Sequence, residues 1–245
     1  MGVKRALIRE YIEEFKAKTN PRPKFVPKMV RIPIVWFGDS QAYFSKDNSR
    51  RIVTVGLNPS FHEFTQKRFG PVDLEAEDAE ERLSAALDGY FRKGGNAYWQ
   101  WFGKYRKMLA NMGCSYEEGG CRALHVDLFS AIATQPTWSG LVRELGKKKT
   151  KAFADTALFG RLLEELKPKV IVFSGSNQVL EDEFGDFREV PGKQFHDEAG
   201  RAYLKLLKRD DGTRLLFGTN TRSGPFGKFG DDLLAGKIKE WGLGR

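Results

Sequence analysis

The segment Arg51-Ile-Val-Thr-Val-Gly-Leu-Asn-Pro-Ser-Phe-His62 constrains the fold of this chain more than any other. A β-branched run suits a buried strand, and here it stops at Gly56. Pro59 then fixes the backbone beside one polar side chain, Asn58. A strand ending in Gly-x-Asn-Pro presents its Asn at the carboxyl edge of a sheet, where ligands bind in open α/β folds. The same residues also make an ordinary turn, so the segment gains meaning only from its neighbours.

Those neighbours alternate between strand and helix patterns. Residues 3–18 carry Leu7, Ile8, Tyr11, Ile12 and Phe15 on one helical face, and Asn20-Pro-Arg-Pro23 ends the helix. Val30–Phe37 reads as a strand that Gly38-Asp39-Ser40 turns toward Ala42-Tyr43-Phe44, giving an N-terminal hairpin. Further along, helices are expected near 73–92, 96–112, 155–166 and 229–241, with strands at 122–128 and 169–175. The runs 202–208 and 214–218 flank Asp-Asp-Gly, a hairpin signal. Alternation of this kind predicts a parallel or mixed sheet covered on both faces. At 245 residues the chain is read as one domain, with residues 1–48 as a helix-and-hairpin extension.

Composition narrows the partners. Basic residues outnumber acidic ones, 41 to 32, for a net charge of +9, which suits a polyanion bound through its phosphates. A merely soluble basic surface has the same balance. No apolar run is long enough to span a membrane and no signal peptide is visible, so a cytoplasmic monomer is expected. Two cysteines, Cys114 and Cys121, are too few for a disulfide framework or a four-thiolate cluster. The three His are scattered, and neither metal nor cofactor is expected.

Four segments, in order, resemble the uracil-DNA glycosylase superfamily. They are Gly56-Leu-Asn-Pro-Ser60, the helix opening Asn96-Ala-Tyr-Trp99, Leu124-His-Val-Asp-Leu-Phe129 running on to Ala133-Thr-Gln-Pro-Thr137, and Leu216-Phe-Gly-Thr-Asn-Thr-Arg-Ser-Gly224. In motif style they are similar to the mismatch-specific and single-strand-selective branches. Thr221 and Arg222 stand where the family's last motif carries its Pro. The resemblance implies a three-layer α/β/α fold around a mainly parallel four-stranded sheet. It also implies a DNA glycosylase that flips a base from the stack and hydrolyses its N-glycosidic bond.

Roles follow from that resemblance. Asn58 would hold the attacking water and Asn220 would meet O2 of the leaving base. Asn is no general base, so the rate would rest on positioning and on leaving-group stabilisation. Phe61, Phe64 or Phe69 would stack on the flipped base. Ser223, Arg222, Lys228 and Arg143 would grip phosphates, and Phe226 would enter the vacated space as a wedge. The run Lys147-Lys-Lys-Thr-Lys151 reads either as a backbone contact or as a solvated face.

Two positions bear on which base is taken. Uracil-directed members mostly carry Asn where this chain has Asp127. An ionised Asp has only acceptors and would leave uracil O4 unpaired, whereas cytosine offers the N4 amino group at that place. Buried patterns of this kind discriminate by roughly 10⁴. His125, two residues earlier, lies on the same strand face and would tune Asp127 or touch the substrate. Equally, Asp127 could cap a helix or pair with Arg122 or His125. The strict uracil enzymes place a bulky Tyr at the position of Ser60, so a small residue there leaves room for a C5 substituent. Plain cytosine is a self-destructive substrate, so the expected target is a hydroxymethylated or glucosylated cytosine, a mark of some phage DNA, in antiviral defence.

Three alternatives remain: a uracil or mismatch repair glycosylase, a non-catalytic reader of a modified base, and a nucleotide enzyme using Ser174-Gly-Ser-Asn177 as a phosphate loop. That last segment lacks a Walker or dinucleotide fingerprint.

Overall fold

The computed structural model describes residues 2–66, 68–197, 200, 203–219, 225–227 and 229–244. The architecture is mixed α/β with a six-stranded sheet. In chain order the elements are α1 (Arg5–Thr19), α2 (Ser40–Tyr43), β1 (Ile52–Gly56), a 3₁₀ turn (Phe61–Phe64), α3 (Ala79–Asp88), α4 (Trp99–Asn111), β2 (Ala123–Asp127), α5 (Trp138–Leu145), α6 (Lys147–Phe153), α7 (Thr156–Leu166), β3 (Val170–Gly175), α8 (Asn177–Glu183), β4 (Arg188–His196), β5 (Tyr203–Lys208), β6 (Arg214–Thr219) and α9 (Asp231–Glu240). The chain divides into two compact units, one of Met1–Ser45, Gly56–Tyr98 and Leu124–Lys167, the other of Lys46–Val55, Trp99–Ala123 and Pro168–Arg245.

In the first unit, α1 buries the stripe read from its periodicity, Leu7, Ile8, Tyr11, Ile12 and Phe15, and packs against α3 and α7. The expected N-terminal hairpin is absent. Residues 30–37 are largely buried but form no strand. Pro33 has no N–H to give a ladder, and the segment instead ties locally, Ile34 N–H to Ala131 C=O at 2.7 Å and Phe37 to His125 as an isolated bridge. Residues 42–44 do not pair with it. Asp39 accepts from Ala42 N–H at 2.9 Å and caps α2 in their place. Asp88 fastens this corner, accepting from Trp36 Nε1 at 2.9 Å and from Ser40 N–H at 3.0 Å.

In the second unit the strands run β1-β3-β6-β5-β4. β1 and β3 are buried along their whole length and pair in parallel, Ile52 opposite Val170. Continuous apolar runs are what a strand covered on both faces requires. β6 continues the parallel run, and the turn at Asp-Asp-Gly delivers the antiparallel β5–β6 hairpin read from the sequence. Beyond it lies β4, an exposed edge strand whose register shifts between Glu189 and Gln194, around Pro191 and Gly192. Tyr105, on α4, donates to Val55 C=O at 2.9 Å, and Lys104 and Lys107 meet Asp231 at the start of α9, each at 2.6 Å. Cys114 and Cys121 form a disulfide across a Cα separation of 4.6 Å. Among the described residues no helix is long and apolar enough to cross a membrane.

Candidate functional site

Seven of the site residues read from the sequence belong to the first unit: Asn58, Ser60, Phe61, Phe69, His125, Asp127 and Arg143. Gly56 ends β1, and beyond β2 Leu128 N–H donates to Gly56 C=O at 3.0 Å and Phe129 N–H to Leu57 C=O at 2.9 Å. This ladder brings Gly56 alongside the side chains that leave the end of β2. A Cβ on Gly56 would lie 2.4 Å from Asp127 Oδ1 and 2.9 Å from His125 Nε2. Only a residue without a side chain lets both groups converge there.

His125 Nε2 and Asp127 Oδ1 stand 3.8 Å apart, with side chains only 1% and 4% exposed. That gap exceeds a hydrogen bond and makes an ion pair only when the imidazole is protonated. The pairing of Asp127 with His125, one of the readings left open above, is therefore a close approach at 3.8 Å rather than a direct hydrogen bond. His125 is anchored through its backbone to Phe37 and through its ring, whose centroid lies 5.6 Å from that of Phe37.

Asn58 clamps two loops. Its Nδ2 donates to Thr134 Oγ1 at 2.8 Å and to Pro59 C=O at 3.0 Å, and its Oδ1 accepts from Trp138 N–H at 3.1 Å. Thr134 belongs to the stretch Ala133–Thr137 singled out as the continuation of the third motif, Trp138 follows it directly, and Ser60 bridges to Thr134. An amide oxygen has two lone pairs, so one remains for a further donor. Neither a family model nor a curated protein sequence matches this chain. The site is accordingly read from its geometry and chemistry.

A strongly perturbed carboxyl near Asp127 was not singled out from the sequence. Glu63 sits in the 3₁₀ turn with 2% exposure and receives the Tyr90 hydroxyl. Tyr90 in turn accepts from Tyr98 N–H at 3.0 Å. Burial pushes the Glu63 carboxyl up to about 7, opposed by the Tyr90 bond and the Arg68 charge and reinforced by the charge of Asp127. Around it stand aromatic rings: Tyr90 stacks on Phe69 at 5.3 Å, Phe69 meets Phe64 at 5.4 Å, and Phe37 meets Tyr90 at 4.6 Å. Phe37 is thus a wall shared by the Glu63–Tyr90 pair and by His125. The only signal in the sequence was the run Phe61-His-Glu-Phe64, whose carboxylate reads as solvated until its burial is known.

The remaining residues sort unevenly. Phe61 is half-buried, and its ring lies tilted against that of His62 at 4.1 Å. Ser60 Oγ caps the 3₁₀ turn by accepting from His62 N–H at 3.2 Å. Arg143 is exposed on α5, and Lys147, Lys148, Lys149 and Lys151 are exposed on α6. Asn220, Arg222, Ser223 and Lys228 lie outside the described residues.

Phe226 requires a correction. It is fully buried (0% exposed) in the second unit, edge-on to Tyr105, with its N–H held by Ser174 Oγ at 3.1 Å. Gly218 leaves the space its ring fills, since a Cβ there would lie 2.3 Å from Phe226 Cε1. A ring locked in a core is not a wedge for DNA. In Ser174-Gly-Ser-Asn177, the phosphate loop of one alternative, Ser176 Oγ accepts from Val179 N–H and caps α8. Among the described residues no cluster of three or more His, Cys, Asp or Glu could hold a metal ion.

Proposed function

We propose that this protein is a monofunctional DNA glycosylase that removes a C5-modified cytosine, hydroxymethylated or glucosylated, and leaves an abasic site. The observation that carries the reading is the Asp127 carboxylate, held against the side-chain-free Gly56 at the strand ends and next to His125, whose ring meets Phe37 in a cluster with Phe69 and Tyr90. An acceptor-only group fits the N4 amino donor of a cytosine and opposes the O4 of uracil. Aromatic faces suit a base taken out of the stack.

In this reading the second lone pair of Asn58 Oδ1 orients the water that attacks C1′. The oxocarbenium-like sugar is stabilised by the surrounding field rather than by a strong base. Asn220 would meet O2 of the base, and Arg222, Ser223, Lys228 and Arg143 would hold phosphates. A role in defence against DNA bearing such marks follows from the substrate, because the host's own cytosine carries none.

The test is an abasic-site assay on duplex and single-stranded oligonucleotides carrying uracil, hypoxanthine, cytosine, 5-methyl-, 5-hydroxymethyl- or glucosylated hydroxymethylcytosine. Alkaline cleavage only at the hydroxymethylated or glucosylated base is the expected result. Efficient release of uracil with every modified cytosine ignored would sink the proposal. A second reading, a reader that flips and binds the base without cutting it, is favoured by one observation: both Asn58 Nδ2 protons and one Oδ1 lone pair serve loop contacts. The enzyme loses turnover but keeps binding in Asn58→Ala, whereas a reader makes no abasic site in either form.

A further inference from the structure

We propose that Glu63 is the general acid of this site, giving its carboxyl proton to N3 of the cytosine-type base while Asp127 accepts from N4. The inference rests on the glycosylase reading above and adds to it the residue that activates the leaving group.

Three observations carry it. Glu63 is a carboxyl buried to 2% exposure in the turn that directly follows the Gly56-Leu-Asn-Pro segment. Its Oε2 is occupied by the Tyr90 hydroxyl, which is itself fixed by Tyr98 N–H, so the acidic proton belongs on Oε1. Phe37 touches both Tyr90, the partner of Glu63, and His125, the neighbour of Asp127, and the charge of Asp127 reaches Glu63.

Burial favours the neutral form of the Glu63 carboxyl, and the charge of Asp127 adds to that preference. Arg68 is the opposing charge and spends its guanidinium on Asn96 C=O, His62 C=O and the Gln66 side chain. Glu63 is thereby a carboxyl of this site with a proton to give.

The step balances as follows. Glu63 transfers its proton to N3, the C1′–N1 bond breaks with its electron pair going to N1, and the base leaves neutral. Water adds to C1′ and yields a proton to solvent, and the Glu63 carboxylate takes one back from solvent. A cytosine is a poor leaving group as an anion, so protonation supplies what Asn58 cannot.

The experiment is the pH dependence of single-turnover excision of glucosylated or hydroxymethylated cytosine by the wild type, Glu63→Gln and Tyr90→Phe. The wild-type rate is expected to fall about tenfold per pH unit above neutrality. Glu63→Gln keeps an acceptor for Tyr90 but has no proton to give, so its rate should drop by roughly 10²–10⁴ and lose that limb. Tyr90→Phe removes a bond that favours the carboxylate, so its limb should move to higher pH, a shift that a purely structural role would not produce. Where Glu63→Gln fails to fold, the direction of the Tyr90→Phe shift decides. Excision with the same limb in both variants overturns the role of Glu63 and leaves the glycosylase standing. No excision of any modified cytosine by the wild type overturns both.

Discussion

A methyl group at position 56 would sit 2.4 Å from Asp127 Oδ1, too close for two atoms to share. Gly56→Ala should therefore displace the carboxylate or the strand end, at a cost of about 1–3 kcal/mol, read as a lower urea midpoint with an unchanged slope. Glu63 gives a second prediction at this scale. Its carboxyl rises from an ordinary 4.5 to about 7 in the folded chain, so the folded state holds the proton more tightly than the unfolded one. Its penalty is absent below about 4.5, grows as pH rises, and is complete above about 7. Relative to the wild type, Glu63→Gln should gain stability across that window, by about 3 kcal/mol at the alkaline end, measured as the difference between the two urea profiles at each pH. A difference that stays flat with pH would show that Glu63 is not held neutral. Asp127, His125 and Asn58 could be singled out as candidates because strand ends and Gly-x-Asn-Pro have local signatures. Glu63 was not, since its burial depends on Tyr90, far along the chain.

The elements divide by how local their causes are. β1, β3 and α1 were readable from continuous or periodic apolar runs, and their observed limits lie within a few residues of those expected. The false hairpin at 30–44 came from apolar content alone. It ignored that Pro33 removes a donor and that Asp39 caps a helical turn. β4 left no clear pattern, because an exposed edge strand interrupted by Pro191-Gly192 does not alternate. Phe226 was misread in the other direction, where the family resemblance suggested a projecting ring and the structure buries it. Phe226→Ala should cost about 3–5 kcal/mol through a core cavity, seen as a drop in thermal midpoint. A loss of DNA affinity without loss of stability would restore the wedge.

For the whole molecule, the excess of basic over acidic residues bears on association rather than on fold. If about six phosphates are neutralised, log affinity for an oligonucleotide should fall with log salt at a slope near −5. Fluorescence anisotropy across a salt series measures it, and a slope near zero would remove the phosphate-binding part of the proposal. The fold class was legible at this scale from the alternation of patterns. The division into two compact units was not, because each is assembled from three separate stretches and no linker composition marks the exchanges.

That interleaving sets a timetable for synthesis. Ile52 must find Val170, a residue the ribosome adds 118 positions later. At roughly 5–20 residues per second, β1 waits on the order of 6–24 s for its parallel partner, with a largely apolar core strand exposed meanwhile. The nascent chain should therefore be a chaperone client over this interval, and slowing translation between positions 56 and 170 would lengthen its exposure rather than help it fold.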